Sequence, residues 1–126
     1  MKTVTSGNIN NFVPQVNAYL SNDGILSLST KGEISFTVDT GFSGGIAIPI
    51  SIIEKMKTEI VTYDTFSLAT GEIIELPVFI GDIRAGRKRI ETWFIPGDFL
   101  LGMEFLYSVC KYISLDLIQD KIVLST

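Results

Sequence analysis

Glu33-Ile34-Ser35-Phe36-Thr37-Val38 runs directly into Asp39-Thr40-Gly41-Phe42-Ser43-Gly44-Gly45 and then into Ile46-Ala47-Ile48-Pro49. The first six residues alternate, which places Ile34, Phe36 and Val38 on one face of a strand. The last run is apolar and reads as a second strand. Between the two lies a carboxylate followed by residues that let a chain turn sharply. Asp39 therefore ends a buried strand, where rigid backbone can present a carboxylate. The triplet Asp39-Thr40-Gly41 occurs once. A site built from two such carboxylates would need its second copy from another molecule.

Outward from this stretch the dominant period is two, so strands prevail. Val13 to Leu20 reads as the first strand, followed by a turn signal at Asn22-Asp23-Gly24 and a strand over Ile25 to Thr30. Ser51-Ile52-Ile53-Glu54 has capping-box spacing and predicts a short helix over about Ile52 to Lys57. Ile60 to Leu68 and Glu72 to Ile80 read as strands joined by a turn at Ala69-Thr70-Gly71. Pro77 cannot donate to a ladder, so it belongs at an edge or a bulge. Gly81 to Lys88 reads as a turn region and Arg89 to Ile95 as a strand, with Trp93 and Phe94 on opposite faces. One of that pair belongs to the core and the other to a groove or interface. Phe99-Leu100-Leu101 is a very short strand, Gly102 to Val109 a one- to two-turn helix, and Tyr112 to Ile118 with Lys121 to Leu124 a final hairpin. Many short strands with only two short helices predict a single all-β domain over 1–126, a closed barrel or sandwich. Residues 1–11 are expected to be either a flexible leader or an interface strand.

The chain has 126 residues, 46% of them hydrophobic, and a net charge of −4. A chain of this kind forms a core and is not expected to bind nucleic acid. It has no histidine, which removes Ser-His-Asp and Cys-His catalysis and the commonest metal ligand. Cys110 is the single cysteine, so there is no internal disulfide and no cysteine zinc site. A buried structural thiol is its expected role. These features make a cytoplasmic protein the expectation. The longest apolar stretch, Ile46 to Ile53, falls far short of the ~20 residues of a membrane helix, so no membrane partner is expected. Arg84, Arg87, Lys88 and Arg89 gather four of the ten positive charges. No aromatic residues interleave them, and they read as solvated charges of a hairpin turn. Asp23, Asp64, Asp98, Asp116 and Asp120 read as surface.

The strand–Asp39-Thr40-Gly41–strand unit, the turn at Ala69-Thr70-Gly71 and the later Leu100-Leu101-Gly102 before a short helix resemble the retropepsin-like aspartic proteases. The likeness is greatest to single-domain prokaryotic members, in which the triplet continues as Phe42-Ser43-Gly44 does here, and it spans roughly residues 25–125. The resemblance implies a closed retropepsin-like barrel with one lobe per chain and a homodimer with interleaved termini. It also implies an aspartic endopeptidase that hydrolyses an extended peptide or protein without metal or cofactor. Asp39 from each subunit would form the catalytic pair. Thr40 would lock the two loops together, and Gly41 would let the backbones approach. Leu100, Leu101 and Gly102 would support the loop from below. Ala69, Thr70 and Gly71 would form the tip of a flap over substrate, and Phe42 would line a substrate pocket or pack into the core. Two departures stand out: the glycine-rich flap of retroviral enzymes is missing, and Phe42 stands where those enzymes usually carry alanine. The alternatives are a non-catalytic peptide-binding module on the same fold and a domain that only assembles a larger complex.

Overall fold

A computed structural model describes residues 2–126. Strands account for 57% and helices for 9% of them, so the protein is mostly β. The strands in chain order are β1 (Thr3–Asn10), β2 (Val13–Leu20), β3 (Leu26–Leu28), β4 (Ile34–Val38) and β5 (Ile46–Ile48), then β6 (Thr58–Ser67), β7 (Ile73–Ala85), β8 (Lys88–Pro96), β9 (Leu100–Leu101), β10 (Tyr112–Asp116) and β11 (Lys121–Ser125). Two short helices interrupt them, α1 (Ile50–Ile53) after β5 and α2 (Met103–Val109) after β9.

Seven strands close on themselves. β2 pairs β3, β3 pairs β7, β7 pairs β8, and β8 pairs β5; β5 then pairs β9, β9 pairs β4, and β4 returns to β2. Closure removes the free edges that an open sheet would expose. Alternation sends one face of every strand inward, and Phe36, Ile46, Ile48, Ile83, Phe94 and Leu101 meet there with no exposed surface. Phe36 and Phe99 pack edge to face, their ring centroids 5.8 Å apart. Phe105 and Leu106 of α2 join the same core, so the second helix plugs the barrel beside the end of β9.

Two strand systems extend from the barrel. β1 joins β2 through a two-residue turn at Asn11-Phe12 and pairs on its other side with β11, which pairs β10. The first 11 residues, expected to be a flexible leader or an interface strand, form β1 over Thr3–Asn10, paired with strands of the same chain, and Met1 lies outside the described residues. The polar stretch holds because β1 has a hydrogen-bonded neighbour on each side. The terminal strands, expected to interleave between subunits, pair with each other within one chain. The second extension is an arm. β6 pairs the full outer length of β7, but β8 takes up β7 only from Phe79 onward. Pro77 lies in the portion with one neighbouring strand, close to a register shift between Ile60 and Thr62, as its missing N–H requires.

Two local expectations are corrected. The short helix is Ile50–Ile53, not Ile52 to Lys57, and no side chain caps it. Pro49, at φ −55°, lets the chain enter the helix two residues early, and its carbonyl accepts from the N–H groups of Ile52 and Ile53. Glu54, assigned to the capping box, instead ends the helix. The region Gly81 to Lys88 is not a turn region: β7 continues to Ala85, and only Gly86-Arg87 turn. Ile83 and Ala85 are buried there, so core packing overrides the local turn signal. Two of the four positive charges of this hairpin, Arg84 and Arg89, are engaged in ion pairs. Arg84 grips Asp23 in the β2–β3 turn with an N–O distance of 2.6 Å, and Arg89 meets Asp82 at 2.7 Å.

Candidate functional site

Asp39 follows the last residue of β4, and its backbone is anchored from the side. Thr37 N–H donates to the Phe99 carbonyl at 2.9 Å and Asp39 N–H to the Leu101 carbonyl at 3.0 Å, which continues the parallel pairing of β4 with β9 past the end of β4. The chain then turns on itself. Phe42 N–H donates to the Asp39 carbonyl at 3.2 Å, and Gly41 N–H donates to Asp39 Oδ1 at 2.9 Å. The second bond is the Asx arrangement by which an aspartate fixes its own turn.

The far limb of the loop is fastened to α2. Gly102 N–H donates to the Gly45 carbonyl at 2.7 Å, Met103 N–H to Phe42 at 2.8 Å and Glu104 N–H to Gly44 at 3.2 Å. The first N–H groups of a helix have no partner within it, and here the Asp39 loop supplies the acceptors. Gly102 is required for this junction, since a Cβ there would lie 2.1 Å from the Gly44 carbonyl oxygen. Leu101 is fully buried beneath the loop and Leu100 partly so. The residues expected to support the loop therefore lie against it.

The residues of the Asp39-Thr40-Gly41 triplet lie toward the surface. Asp39 is partly exposed, and Thr40 and Gly41 are exposed. Among the described residues no cation pairs with Asp39 and no side chain bonds the Thr40 hydroxyl.

Next to the loop lies a slot of about 270 Å³. Phe42, Phe66, Val78, Trp93 and Ile95 give it apolar walls, and Gly44 and Gly45 bring its floor up against the Asp39 loop. Thr62 and Asp64 contribute from β6 and Glu104 from α2. Of the Trp93–Phe94 pair, Phe94 is the core residue and Trp93 lines the slot. The β6–β7 arm lines one side of the slot through Thr62, Asp64, Phe66 and Val78. Ala69, Thr70 and Gly71, expected as the tip of a cover, form the turn at the arm's end, are exposed, and do not line the slot.

The sequence marks Asp64 only as a surface residue and does not single out Phe66, Val78 or Glu104. The alternation Thr62, Asp64, Phe66 was the available signal, because it puts a carboxylate and a ring on the same face of one strand. Cys110 is half buried, donates Sγ–H to the Leu106 carbonyl at 3.4 Å, and is pushed up in pKa by that burial, which suits an inert thiol. Among the described residues no three metal-ligating side chains converge, and no helix is long and apolar enough to cross a membrane.

No family model, curated protein sequence or solved structure matches this chain.

Proposed function

We propose that the protein is an aspartic endopeptidase of the retropepsin-like kind, active as a homodimer with one site on its two-fold axis. The observation that carries this reading is the Asp39 loop. It is hydrogen-bonded to β9 on one limb and to the start of α2 on the other, yet it leaves its carboxylate and the Thr40 hydroxyl facing out of the chain. A tightly held loop with outward polar groups suits an isologous contact with its own copy. In that contact Thr40 would donate to the partner's loop and accept in return, and Gly41 would allow the close approach.

The chemistry follows from bringing two Asp39 carboxylates together. Two such groups about 3 Å apart cannot both ionise, so they share one proton and titrate as a pair. The ionised member takes a proton from a water held between them while that water attacks the scissile carbonyl. The protonated member donates to the carbonyl oxygen. The tetrahedral intermediate collapses as the leaving nitrogen is protonated. No covalent bond to the enzyme forms, and no metal or cofactor is required. Phe42, beside the loop and on the wall of the slot, would position the substrate.

The test uses Asp39→Asn. Wild-type protein is expected to cleave members of a peptide library at about pH 4 to 7 and the variant none. Co-refolding equal amounts of the two should leave about a quarter of the activity of the same total amount of wild type, because only dimers with two intact loops function. A residue of about half would mean that each chain works alone. One observation favours a second reading, a peptide-binding module without turnover: the slot is complete within one chain, and Asp39 does not line it. Peptide binding with no cleavage at any protein concentration would establish that alternative.

A further inference from the structure

The slot beside the Asp39 loop is apolar in its walls and acidic in its charged groups. Asp64 reaches it from β6 and Glu104 from the first turn of α2, so carboxylates come from two different elements. Neither is engaged in an ion pair among the described residues, and no lysine or arginine lines the slot. Asp64 accepts one hydrogen bond, from Thr65 N–H at 2.9 Å on Oδ1, which leaves its other oxygen available. The volume of about 270 Å³ lies below the roughly 300–1,000 Å³ of sites for drug-sized ligands. It suits one long side chain of a larger ligand.

We propose that this slot is a specificity subsite for an arginine side chain of an extended peptide. Aromatic walls and unpaired carboxylates together describe that group. The aliphatic stem of arginine packs on apolar surface while its head stays with polar groups. Its planar guanidinium stacks on aromatic faces, here those of Phe42, Phe66 and Trp93, and its fork of donors fits carboxylates. An aliphatic residue of similar length would leave both acids without a partner. The subsite deepens the reading of this barrel end as a peptide site, and it holds whether or not Asp39 cleaves what is bound.

Trp93 is the only tryptophan in the chain and lines the slot, so its fluorescence reports occupancy directly. Asp39→Asn protein, which cannot turn substrate over, is titrated with three capped hexapeptides that differ at one central position: arginine, its neutral isostere citrulline, and norleucine. The arginine peptide is expected to change Trp93 emission saturably and to bind about tenfold more tightly than the citrulline peptide. Asp64→Asn and Glu104→Gln, both isosteric changes at exposed positions, should each weaken the arginine peptide by about three- to fivefold and leave the citrulline peptide unchanged. Added salt should narrow the gap. Equal affinities for the three peptides, tightest binding of norleucine, or no response of Trp93 to any of them would overturn the subsite. The two proposals fail separately. Wild-type cleavage without arginine preference sinks the subsite and spares the peptidase; arginine-selective binding without cleavage does the reverse.

Discussion

Replacing Gly102 by alanine tests the junction on which the candidate site depends. The added Cβ would lie 2.1 Å from the Gly44 carbonyl oxygen, 2.8 Å from the Gly44 carbonyl carbon and 2.8 Å from Phe42 Cδ2. Two of these are backbone atoms, so no side-chain rotation relieves the clash. The loop and helix must separate, which threatens the hydrogen bonds from Gly102, Met103 and Glu104 to the loop carbonyls. Overpacking costs about 1–3 kcal/mol, and each weakened hydrogen bond adds about 1 kcal/mol. The expected loss is about 3 kcal/mol, or roughly 10 °C in Tm for a domain of this size. Two controls separate sterics from backbone conformation. Gly71 has φ +87° with nothing near its would-be Cβ, so Gly71→Ala should cost about 1 kcal/mol through conformation alone. Gly97 would meet only the Ala47 Cβ at 3.4 Å, an ordinary contact, so Gly97→Ala should stay within about 0.5 kcal/mol of wild type. Urea and thermal unfolding followed by circular dichroism measure all three. If Gly102→Ala costs no more than Gly71→Ala, the loop is not clamped to α2 and the rigid-carboxylate argument falls.

Phe12→Gly should stabilise the protein by about 1 kcal/mol in the same unfolding assay, because both turn residues Asn11 and Phe12 have positive φ and Phe12 is 97% exposed, so nothing buried is lost. Asp23→Asn should lower Tm at neutral pH and have a vanishing effect in acid. The hydrogen bond from Arg84 holds the Asp23 carboxyl below its usual range, so its contribution is full above the unfolded value near ~3.9 and is lost as pH falls through the lower folded value. A Tm difference that persists unchanged through pH ~2 would mean that the Arg84–Asp23 pair is not its source.

The sequence revealed those parts of the fold whose cause is local. Ile34, Phe36 and Val38 announced β4, and the apolar run after Gly45 announced β5, because an alternating or continuous apolar strand carries its own burial in its pattern. β1 was hidden for the opposite reason. Its Thr, Ser and Asn side chains give little apolar signal, and its order comes from backbone bonds to β2 and β11, the latter more than a hundred residues away in the chain. Gly81-Asp82 looked like a turn, yet Gly81 lies where a Cβ would come 2.7 Å from Thr58 Cγ2. The glycine leaves room for Thr58, its partner opposite on β6, and Asp82 is compensated by Arg89. The candidate site divides in the same way. Asp39, its turn and its Leu100-Leu101-Gly102 support were legible as short motifs. The slot was not, because five separate stretches of the chain line it.

That division has a mechanical consequence. The Asp39 loop is bonded on both limbs to the barrel and helix, whereas the outer arm, from about Thr62 to Val78, is a two-stranded ribbon with no third strand among the described residues. Many of its side chains are exposed, among them Tyr63, Leu68 and Ile73 at 58%, 42% and 71%. Isolated two-stranded ribbons are marginal in water, and segments with few buried contacts open at low free-energy cost. The arm can therefore move while the carboxylate stays in place. Phe66 and Val78, on the arm's inner face, would leave the slot when it lifts and return when it closes. Under the proposed peptidase reading, a peptide would enter from the side and be covered without any displacement of Asp39, as hydrolysis in a water-poor site would require.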